Sequence, residues 1–282
     1  MSTQNHRRPS GARWTLRAAT TVLLLLPLTG CGEDAPASPA GEGPTTSGDL
    51  PRGSDPVELD PADFTAGSDN PYFPLEPRRQ WTYRETDQSG ARATVVVTVS
   101  TETKQIANGV EARIVRDTVT EDGEVVEDTF DWYAQDADGN VWYFGEETAE
   151  FENGKLATRE GSFESGVDGA LPGVIMPADP AVGMEYRQEY YEGQAEDNGE
   201  VLGLGQQAEA PIGHYEGALL TADTNAIEPD VNEYKLYAPD IGLVLAFDVS
   251  GGASREELVS TKKVSSATAN AAGTAPLGTP YE

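Results

Sequence analysis

Cysteine and histidine are almost absent from this 282-residue chain. Cys31 is the only cysteine, so no disulfide can form within the chain, and the two histidines are His6 and His214. With so few of these ligands, we expect no zinc site built from Cys and His. The chain also has no Gly-x-Ser-x-Gly segment, no phosphate-binding P-loop and no dinucleotide fingerprint. These absences remove the common classes of hydrolase, kinase and dehydrogenase, and we predict that the protein is not an enzyme.

Positive charge is scarce as well. Nineteen Lys and Arg residues stand against 48 Asp and Glu, which gives a net charge of −29. Residues 1–31 contain four Arg and no acids, so the chain without them carries −33. A charge this negative repels DNA, RNA and anionic lipid surfaces. The sequence therefore predicts no nucleic-acid partner, and the charge suits solubility outside the cell or contact with cations and basic partners.

Long apolar runs are missing except near the N-terminus. Four Arg precede the uncharged stretch 18–30, which is too short to span a bilayer and is typical of a secretory signal. The stretch ends in Leu28, Thr29, Gly30 and Cys31, which resembles the lipobox of bacterial lipoproteins. That resemblance implies cleavage before Cys31 and attachment of fatty acyl chains such as palmitate. We therefore expect a lipid anchor on the outer face of a bacterial membrane, with export by either the Sec or the twin-arginine route.

Composition divides the rest of the chain into three parts. Residues 32–60 are rich in Pro, Gly, Ser and acids, and they contain too few apolar side chains to offset the entropy of ordering. The sequence predicts a disordered tether there and a disordered tail over residues 265–282. The segment between them, 61–264, is long enough for one well-packed domain.

Alternation of apolar and polar residues dominates this middle segment. In the stretches 91–100 and 242–249, every second residue is apolar, as half-buried strands require. Asn-Gly and Asp-Gly pairs, which favour tight hairpin turns, separate such stretches. We predict an all-β fold with roughly nine or ten strands, in a single antiparallel meander sheet curled into an open or closed barrel. The alternative is a two-layer β-sandwich.

One long interruption lies between the predicted strands. The segment 160–183 contains five Gly and three Pro around the apolar centre Val174-Ile175-Met176. Long loops inside compact domains are often functional. We interpret this segment as a loop lid over the mouth of the barrel, with a static plug as the alternative.

The stretch 131–147 predicts a hairpin that turns at Asp138-Gly139. An even loop pairs Ala134 with Tyr143 and Asp131 with Glu146, and it leaves aromatic side chains on both faces of the strand pair. Such a pair suits a core on one side and a lid, loop or ligand on the other. The aromatic residues predicted to line a ligand cavity are Trp132, Tyr133, Trp142, Phe144, Tyr186 and Tyr190.

Two carboxylates come close together in this hairpin. Asp131 faces Glu146 with an even loop and Glu147 with an odd one, and like charges directly opposite are destabilising. Solvent, an Arg partner (Arg84, Arg113 or Arg116), a bound cation such as calcium, or a shared proton would relieve the repulsion. A calcium-binding EF-hand loop starting at Asp136 fits poorly, because its sixth position is Val141 rather than Gly. We expect no cofactor, with Asp131, Glu146 and Glu147 as the only candidate cation ligands.

From residue 69 onward, the chain resembles a family of uncharacterised secreted bacterial proteins and lipoproteins. The resemblance rests on the segments 69–75, 131–136, 139–146, 172–173, 176–180, 237–239 and 242–244, together with Trp81, Tyr83, Tyr186 and Tyr190. The family implies no catalytic or binding residues. The chain departs from its pattern at Pro77-Arg78, where the family has Pro-Gly before the Trp. Because Gly permits positive φ and Arg does so less readily, we expect that turn to differ.

These observations predict a lipid-anchored extracytoplasmic lipoprotein whose β domain is a binding or interaction module. An apolar ligand inside a curled sheet is the leading hypothesis. One alternative is a cation-dependent or carboxylate-based hydrolase of envelope polymers that uses Asp131 and Glu146. The other is a structural envelope protein without a small ligand.

Overall fold

The computed structural model describes residues 50–281, which contain fifteen β-strands, one 3₁₀ turn and one α-helix. Ten of the strands are seven residues or longer, and all pairings between strands are antiparallel. The 3₁₀ turn is Pro61–Asp63. The N-terminal strands are β1 (Arg79–Thr86), β2 (Arg92–Gln105), β3 (Glu111–Glu121), β4 (Glu124–Gln135), β5 (Val141–Glu152), β6 (Lys155–Thr158), β7 (Phe163–Glu164) and β8 (Leu171–Met176). They are followed by β9 (Glu185–Arg187), β10 (Glu189–Tyr190), β11 (Asp197–Ala210), β12 (Gly213–Asn225), β13 (Asn232–Ala238), β14 (Gly242–Ser250), β15 (Arg255–Lys263) and the helix α1 (Ser266–Thr274).

Tight turns join neighbouring strands where the sequence predicts them. Asp122 and Gly123, between β3 and β4, both have positive φ (50° and 87°), and so do Asn153 and Gly154 between β5 and β6. Two successive positive φ angles define the turn whose twist matches that of the flanking strands. These residue pairs therefore set the hairpins of the meander.

The sheet consists of two meanders that meet in the middle. Strands β1 to β5, extended by β8, form the first, and β11 to β15 form the second. They join where β1 pairs with β15, with Arg79 opposite Lys263 at one end of the pairing and Thr86 opposite Arg255 at the other. The prediction of a single antiparallel sheet is confirmed: its fifteen strands form a nearly closed barrel rather than a two-layer sandwich.

One short segment closes the barrel on the opposite side. Residues 185–187 (β9) pair with β11 of the second meander, and residues 189–190 (β10) pair with β8 of the first. The two edges of the sheet are thus held by consecutive residues of one chain segment. Arg187, which is fully buried, donates hydrogen bonds to the carbonyl oxygens of Pro172 in β8 and of Gly53 and Asp55 near the start of the described chain.

The segment 160–183, predicted to be a loop lid, is largely part of the wall. Its apolar centre lies in β8, which pairs with β5: Trp142 is opposite Val174, and Tyr143 is opposite Gly173. Val174 and Met176 are fully buried, so the burial expected for the apolar centre is present. The predicted loop lid is absent. Pairing of β8 with the edge of β5 satisfies the backbone N–H and C=O groups of this segment, which a free loop would leave to solvent.

Both ends of the described chain pack on the sheet. The tether was predicted to extend to residue 60, yet Leu50, Val57 and Leu59 contact the apolar core. The tail was predicted to be disordered from residue 265, yet α1 lies against β2 with Ala269 and Ala272 fully buried. Small side chains permit this close packing, which a composition-based prediction does not register. Within residues 50–281, no helix is both long and apolar enough to cross a bilayer.

Arg78 adopts φ of +79°, so the departure from Pro-Gly at this turn does not remove its left-handed geometry. Its Nε donates to Val264 O at 2.9 Å, and its backbone N donates to Val99 O at 2.9 Å. A left-handed conformation costs a non-glycine residue about 1–2 kcal/mol, and a side-chain hydrogen bond returns about 1 kcal/mol. The hydrogen bond thus offsets much of the strain.

We therefore expect Arg78→Ala to lower the free energy of unfolding by about 1 kcal/mol, since the strain stays and the hydrogen bond is lost. Arg78→Gly loses the same hydrogen bond but also the strain, so it should match the native chain within about 0.5 kcal/mol. Urea denaturation of residues 32–282, which include the whole described fold, measures both. Equal destabilisation by the two substitutions would contradict the expectation.

Candidate functional site

The inner face of the curled sheet lines a cavity of about 350 Å³ that is partly open to solvent. This volume lies at the lower end of the range found for small-molecule sites. Both meanders supply its walls, and the segment Phe73–Leu75 covers one end. The strand residues lining it are Trp81, Tyr83, Glu85, Val95, Val97, Val115, Asp117, Val119, Glu127, Asp131, Tyr133, Ile175, Glu233, Lys235, Tyr237, Gly242, Leu243, Ala246 and Glu256, and Ser254 also contributes.

The cavity changes character along its length. Alternate residues of a strand share a face, and on β1 the inward series runs from Trp81 through Tyr83 to Glu85. On β4 it runs from Tyr133 through Asp131 to Glu127, and on β13 from Tyr237 through Lys235 to Glu233. The antiparallel pairings align the three series, so the aromatic ends lie together near Phe73–Leu75. The cavity therefore has an apolar end and an acidic end.

A hydroxyl group bridges the two carboxyls of the predicted acidic pair. Tyr143 Oη lies 2.9 Å from Asp131 Oδ1 and 2.9 Å from Glu146 Oε2. A tyrosine hydroxyl carries one hydrogen, so it donates to only one carboxylate. The second carboxyl must be protonated and donate to the hydroxyl oxygen. Of the four ways to relieve the repulsion, the geometry selects the shared proton.

The pKa values agree with this arrangement. Burial raises the pKa of Asp131 to about 7, although the hydrogen bond from Tyr143 opposes the rise. Burial and the charge of Asp131 raise the pKa of Glu146 well above its usual value. A second carboxyl pair lies close by: burial raises the pKa of Asp197 to about 7 and that of Glu189 well above its ordinary range, and their side chains hydrogen-bond to each other. Both carboxyl pairs therefore keep bound protons close to neutral pH.

A β-bulge explains how Tyr143 reaches both carboxyls. The hairpin pairs Tyr133 with Tyr143 and Ala134 with Trp142, one position away from the predicted register. The register then shifts between Asp131 and Tyr133, which restores the predicted pairing of Asp131 with Glu146. Gly145, at φ of +119°, provides the bulge, and a Cβ there would lie 2.2 Å from Phe163 O. The extra residue puts Tyr143 and Glu146 on the same face despite their odd separation.

The only basic residue among those lining the cavity is Lys235. Its Nζ lies 2.6 Å from Asp223 and 3.2 Å from Glu233. Although burial lowers the pKa of Lys235, the two neighbouring carboxylates raise it by more. The ammonium group is thus charged and already balanced by its neighbours.

Three tyrosines line the cavity, Tyr83, Tyr133 and Tyr237, and Tyr237 is only 4% exposed. Tyr83 donates to Leu243 O at 3.1 Å, and Trp81 donates to Ile241 O at 2.7 Å. These side chains therefore give the cavity wall an aromatic surface with a few polar atoms.

Of the six aromatic residues predicted to line a cavity, the structure places only Tyr133 there. Trp142 and Phe144 point to the opposite face, where Phe64 packs edge-on against both rings at 6.2 and 5.5 Å. Trp132 lies on that face too, with Lys104 Nζ 4.4 Å above its ring. Tyr186 packs over Gly199, and Tyr190 pairs with Leu171. The one-residue register error placed Trp142 and Phe144 on the same face as Tyr133.

The three candidate cation ligands are not brought together. Glu147 points outward and pairs with Arg159 at 2.8 Å, whereas Asp131 and Glu146 share Tyr143. Within residues 50–281, no three His, Cys, Asp or Glu side chains are grouped so as to hold a metal ion. The Arg partners proposed for the pair are engaged elsewhere: Arg84 with Glu257, Arg113 with backbone carbonyls, and Arg116 with Asp128.

Asp136, the first residue of the poorly fitting calcium loop, is engaged within the hairpin. Asp136 Oδ1 accepts hydrogen bonds from the backbone N of Asp138 and Asn140, and Oδ2 accepts one from Trp142 Nε1 at 2.7 Å. This carboxylate therefore shapes the hairpin turn. The predicted lipid-attachment site, Leu28 to Cys31, lies outside the described residues.

No protein-family model matches the chain, and no curated protein matches it. Two solved structures are similar in shape. One is a predicted exported protein with a YmcC-like fold from Bacteroides fragilis NCTC 9343, with a TM-score of 0.41 and 15% identity over 68% of this chain and 99% of that chain. The other is a predicted lipoprotein from Parabacteroides distasonis ATCC 8503, with a TM-score of 0.37 and 13% identity over 68% and 98%. Similarity at this level does not transfer a function to the chain.

Proposed function

We propose that the protein is an extracytoplasmic lipoprotein, anchored through Cys31, whose β domain binds a small and largely apolar molecule inside the barrel. The observation that carries this proposal is the interior cavity of about 350 Å³ with its apolar end formed by Trp81, Tyr133 and Tyr237. Ligand sites are typically concave and mostly apolar with a few polar groups, and the hydroxyls of Tyr133 and Tyr237 in the wall provide such groups. The sequence supports the anchor.

We propose binding rather than catalysis. The carboxyl pair suggested for a hydrolase does not flank the cavity, because Asp131 lines it and Glu146 does not. A glycosidase needs both carboxyls on either side of the bond that it cleaves. The pair is instead bridged by Tyr143 and holds a proton.

A neutral, environment-sensitive apolar dye tests the proposal. We expect its fluorescence to rise on addition of residues 32–282. Val97 lines the cavity and is only half-buried, so Val97→Phe should fill the space and weaken dye binding by about tenfold, or ~1.4 kcal/mol.

Val96→Phe is the matched control for this experiment. Val96 has the same side chain and similar exposure on the same strand, but it faces outward. Its substitution should leave dye binding unchanged. Failure of the dye to bind the native chain, or equal effects of the two substitutions, would favour a structural envelope protein without a small ligand.

A further inference from the structure

A proton-sharing cluster, made of Asp131, Tyr143 and Glu146, reaches the wall of the cavity. Asp131 lines the cavity, whereas Glu146 is not among the lining residues. Tyr143 Oη lies 2.9 Å from Asp131 Oδ1 and 2.9 Å from Glu146 Oε2. Because the one hydrogen of this hydroxyl reaches only one carboxyl, the other carboxyl must be protonated. The shared proton therefore lies at the cavity wall.

Asp131 turns its uncovered side towards the cavity. Its side chain is half-buried, and it lines a cavity that is partly open to solvent. Tyr133 lies two residues further along the same face of β4 and belongs to the apolar end of the cavity. Asp131 thus borders the space that an apolar ligand would occupy. A ligand that fills this space excludes solvent from the carboxyl.

The ionisable groups around Asp131 favour its protonated form. On its own side of the barrel are Glu127 and Tyr133 on β4, Asp117 on β3, and the pair Glu189 and Asp197 from β10 and β11. Across the cavity, β1, β13 and β15 contribute Tyr83, Glu85, Glu233, Lys235, Tyr237 and Glu256. Lys235 is held by Asp223 and Glu233 at 2.6 and 3.2 Å. Burial raises the pKa of Asp131 most, the hydrogen bond from Tyr143 lowers it, and the charge of Glu127 raises it further.

The protonation state of Asp131 decides what an apolar ligand costs. An ionised carboxylate that loses its water to an apolar neighbour is penalised heavily, and a protonated carboxyl is penalised far less. A ligand packed against Asp131 therefore favours the protonated form. By linkage, the protonated form favours the ligand by the same factor. This coupling requires no charge on the ligand.

We propose, on the basis of the binding function above, that the proton-sharing cluster regulates the cavity, which takes up an uncharged apolar ligand while Asp131 and Glu146 share a proton and releases it when that proton is lost. The protein would load in acidic surroundings and unload in alkaline ones. The change falls close to neutral pH, because the pKa of Asp131 is about 7.

Titration calorimetry with octanol, whose charge does not change with pH, tests this inference. For residues 32–282, we expect octanol to bind about tenfold more weakly at pH 8.5 than at pH 6, with the same amount bound at saturation. At pH 7.5, titrations in two buffers of different ionisation enthalpy should show uptake of part of a proton per octanol bound. This second measurement is made at one pH, so a change of stability with pH does not affect it.

Three substitutions locate the titrating group. Asp131→Asn places an amide that does not ionise in the cavity wall, so octanol should bind equally at both pH values and without proton uptake. Glu147→Gln removes an exposed carboxylate beside Glu146, and Asp197→Asn removes a buried titrating carboxyl that does not line the cavity. Both of these controls should keep the pH dependence of the native chain. Proton uptake by the native chain decides the inference even where a variant does not fold.

The outcomes separate the regulation from the binding function. Equal octanol affinity at both pH values without proton uptake would refute the regulation and leave the binding function standing. So would an Asp131→Asn variant that keeps the native pH dependence, or an Asp197→Asn variant that loses it, because the titrating group would then lie elsewhere. If octanol does not bind at either pH, the binding function itself fails.

Discussion

Asp128→Ala is expected to lower the free energy of unfolding by about 3–5 kcal/mol. Asp128 and Arg116 form an ion pair whose side chains are 1% and 0% exposed. Arg116 Nε donates to Asp128 Oδ1 at 2.9 Å, and Thr118 Oγ1 donates to the same oxygen at 2.8 Å. Without the carboxylate, a buried guanidinium keeps only neutral partners.

The C-terminal residues 275–281 shield this ion pair from water. Arg116 also donates to the carbonyl oxygens of Ala275 and Pro276, and Gly278 N donates to Asp128 Oδ2 at 2.7 Å. The ring of Tyr281 covers the guanidinium at 4.3 Å. The ion pair therefore holds the residues after α1 against the sheet, and these residues in turn exclude water from it.

Equilibrium denaturation of three variants tests this account. Glu124→Ala, at the exposed start of the same strand, should change stability by less than about 0.5 kcal/mol. Arg116→Met combined with Asp128→Leu should cost less than Asp128→Ala alone, because neither charge is then left buried. In a chain that ends at residue 264, Asp128→Ala should lose most of its effect, since water then reaches Arg116. An undiminished effect there would contradict the role of the tail.

Stability is expected to fall as the pH rises from about 5 to 8. The pKa values of Asp131 and Asp197 are about 7 in the folded protein, against ordinary values of 3.8. Between these values the folded state binds more protons than the unfolded state, so raising the pH favours unfolding. The stabilisation is complete below about pH 4 and is lost as the pH passes through 7. For Asp131 alone, it is on the order of 4 kcal/mol.

Asp131→Asn tests the shared proton directly. An amide at this position donates to the Tyr143 hydroxyl as the protonated carboxyl does, and the hydroxyl then donates to Glu146. This variant should match the native chain at pH 5 and be more stable than it at pH 8. Glu147→Gln, which removes an exposed carboxylate beside the pair, should leave the pH profile unaltered. A loss of stability with Asp131→Asn at both pH values would show that no proton is shared.

Much of the fold could be predicted from local patterns. Alternation of apolar residues and the turns at Asp122-Gly123 and Asn153-Gly154 indicate the meander, because each depends on residues close in sequence. The strand β8 was missed because its Gly and Pro suggest a loop. Position 173 requires glycine because a Cβ there would lie 2.2 Å from Gln188 O, which belongs to a segment outside the reach of a local sequence pattern.

The site was harder to predict than the fold. The close approach of Asp131 and Glu146 was predicted, but the bridge by Tyr143 depends on the bulge at Gly145, and a bulge leaves no periodic signal. A shift of one residue exchanges the two faces of a strand, so Trp142 and Phe144 were grouped with Tyr133 in error. The acids on β1, β13 and β15 were missed because long-range pairing brings them to the cavity.

The closing segment 185–190 has a consequence for how the cavity exchanges its contents. Three register pairs with β11 and two with β8 hold this side of the barrel, together with flanking hydrogen bonds such as that from Gln188 N to Asp197 O at 2.7 Å. Loss of these pairings would separate the two meanders along one seam and leave every hairpin intact. Such sub-global opening needs less free energy than complete unfolding. Arg187 is buried at this seam and donates hydrogen bonds to carbonyl oxygens of two other segments. These bonds have to break when the seam opens, so Arg187 contributes to the free energy of opening.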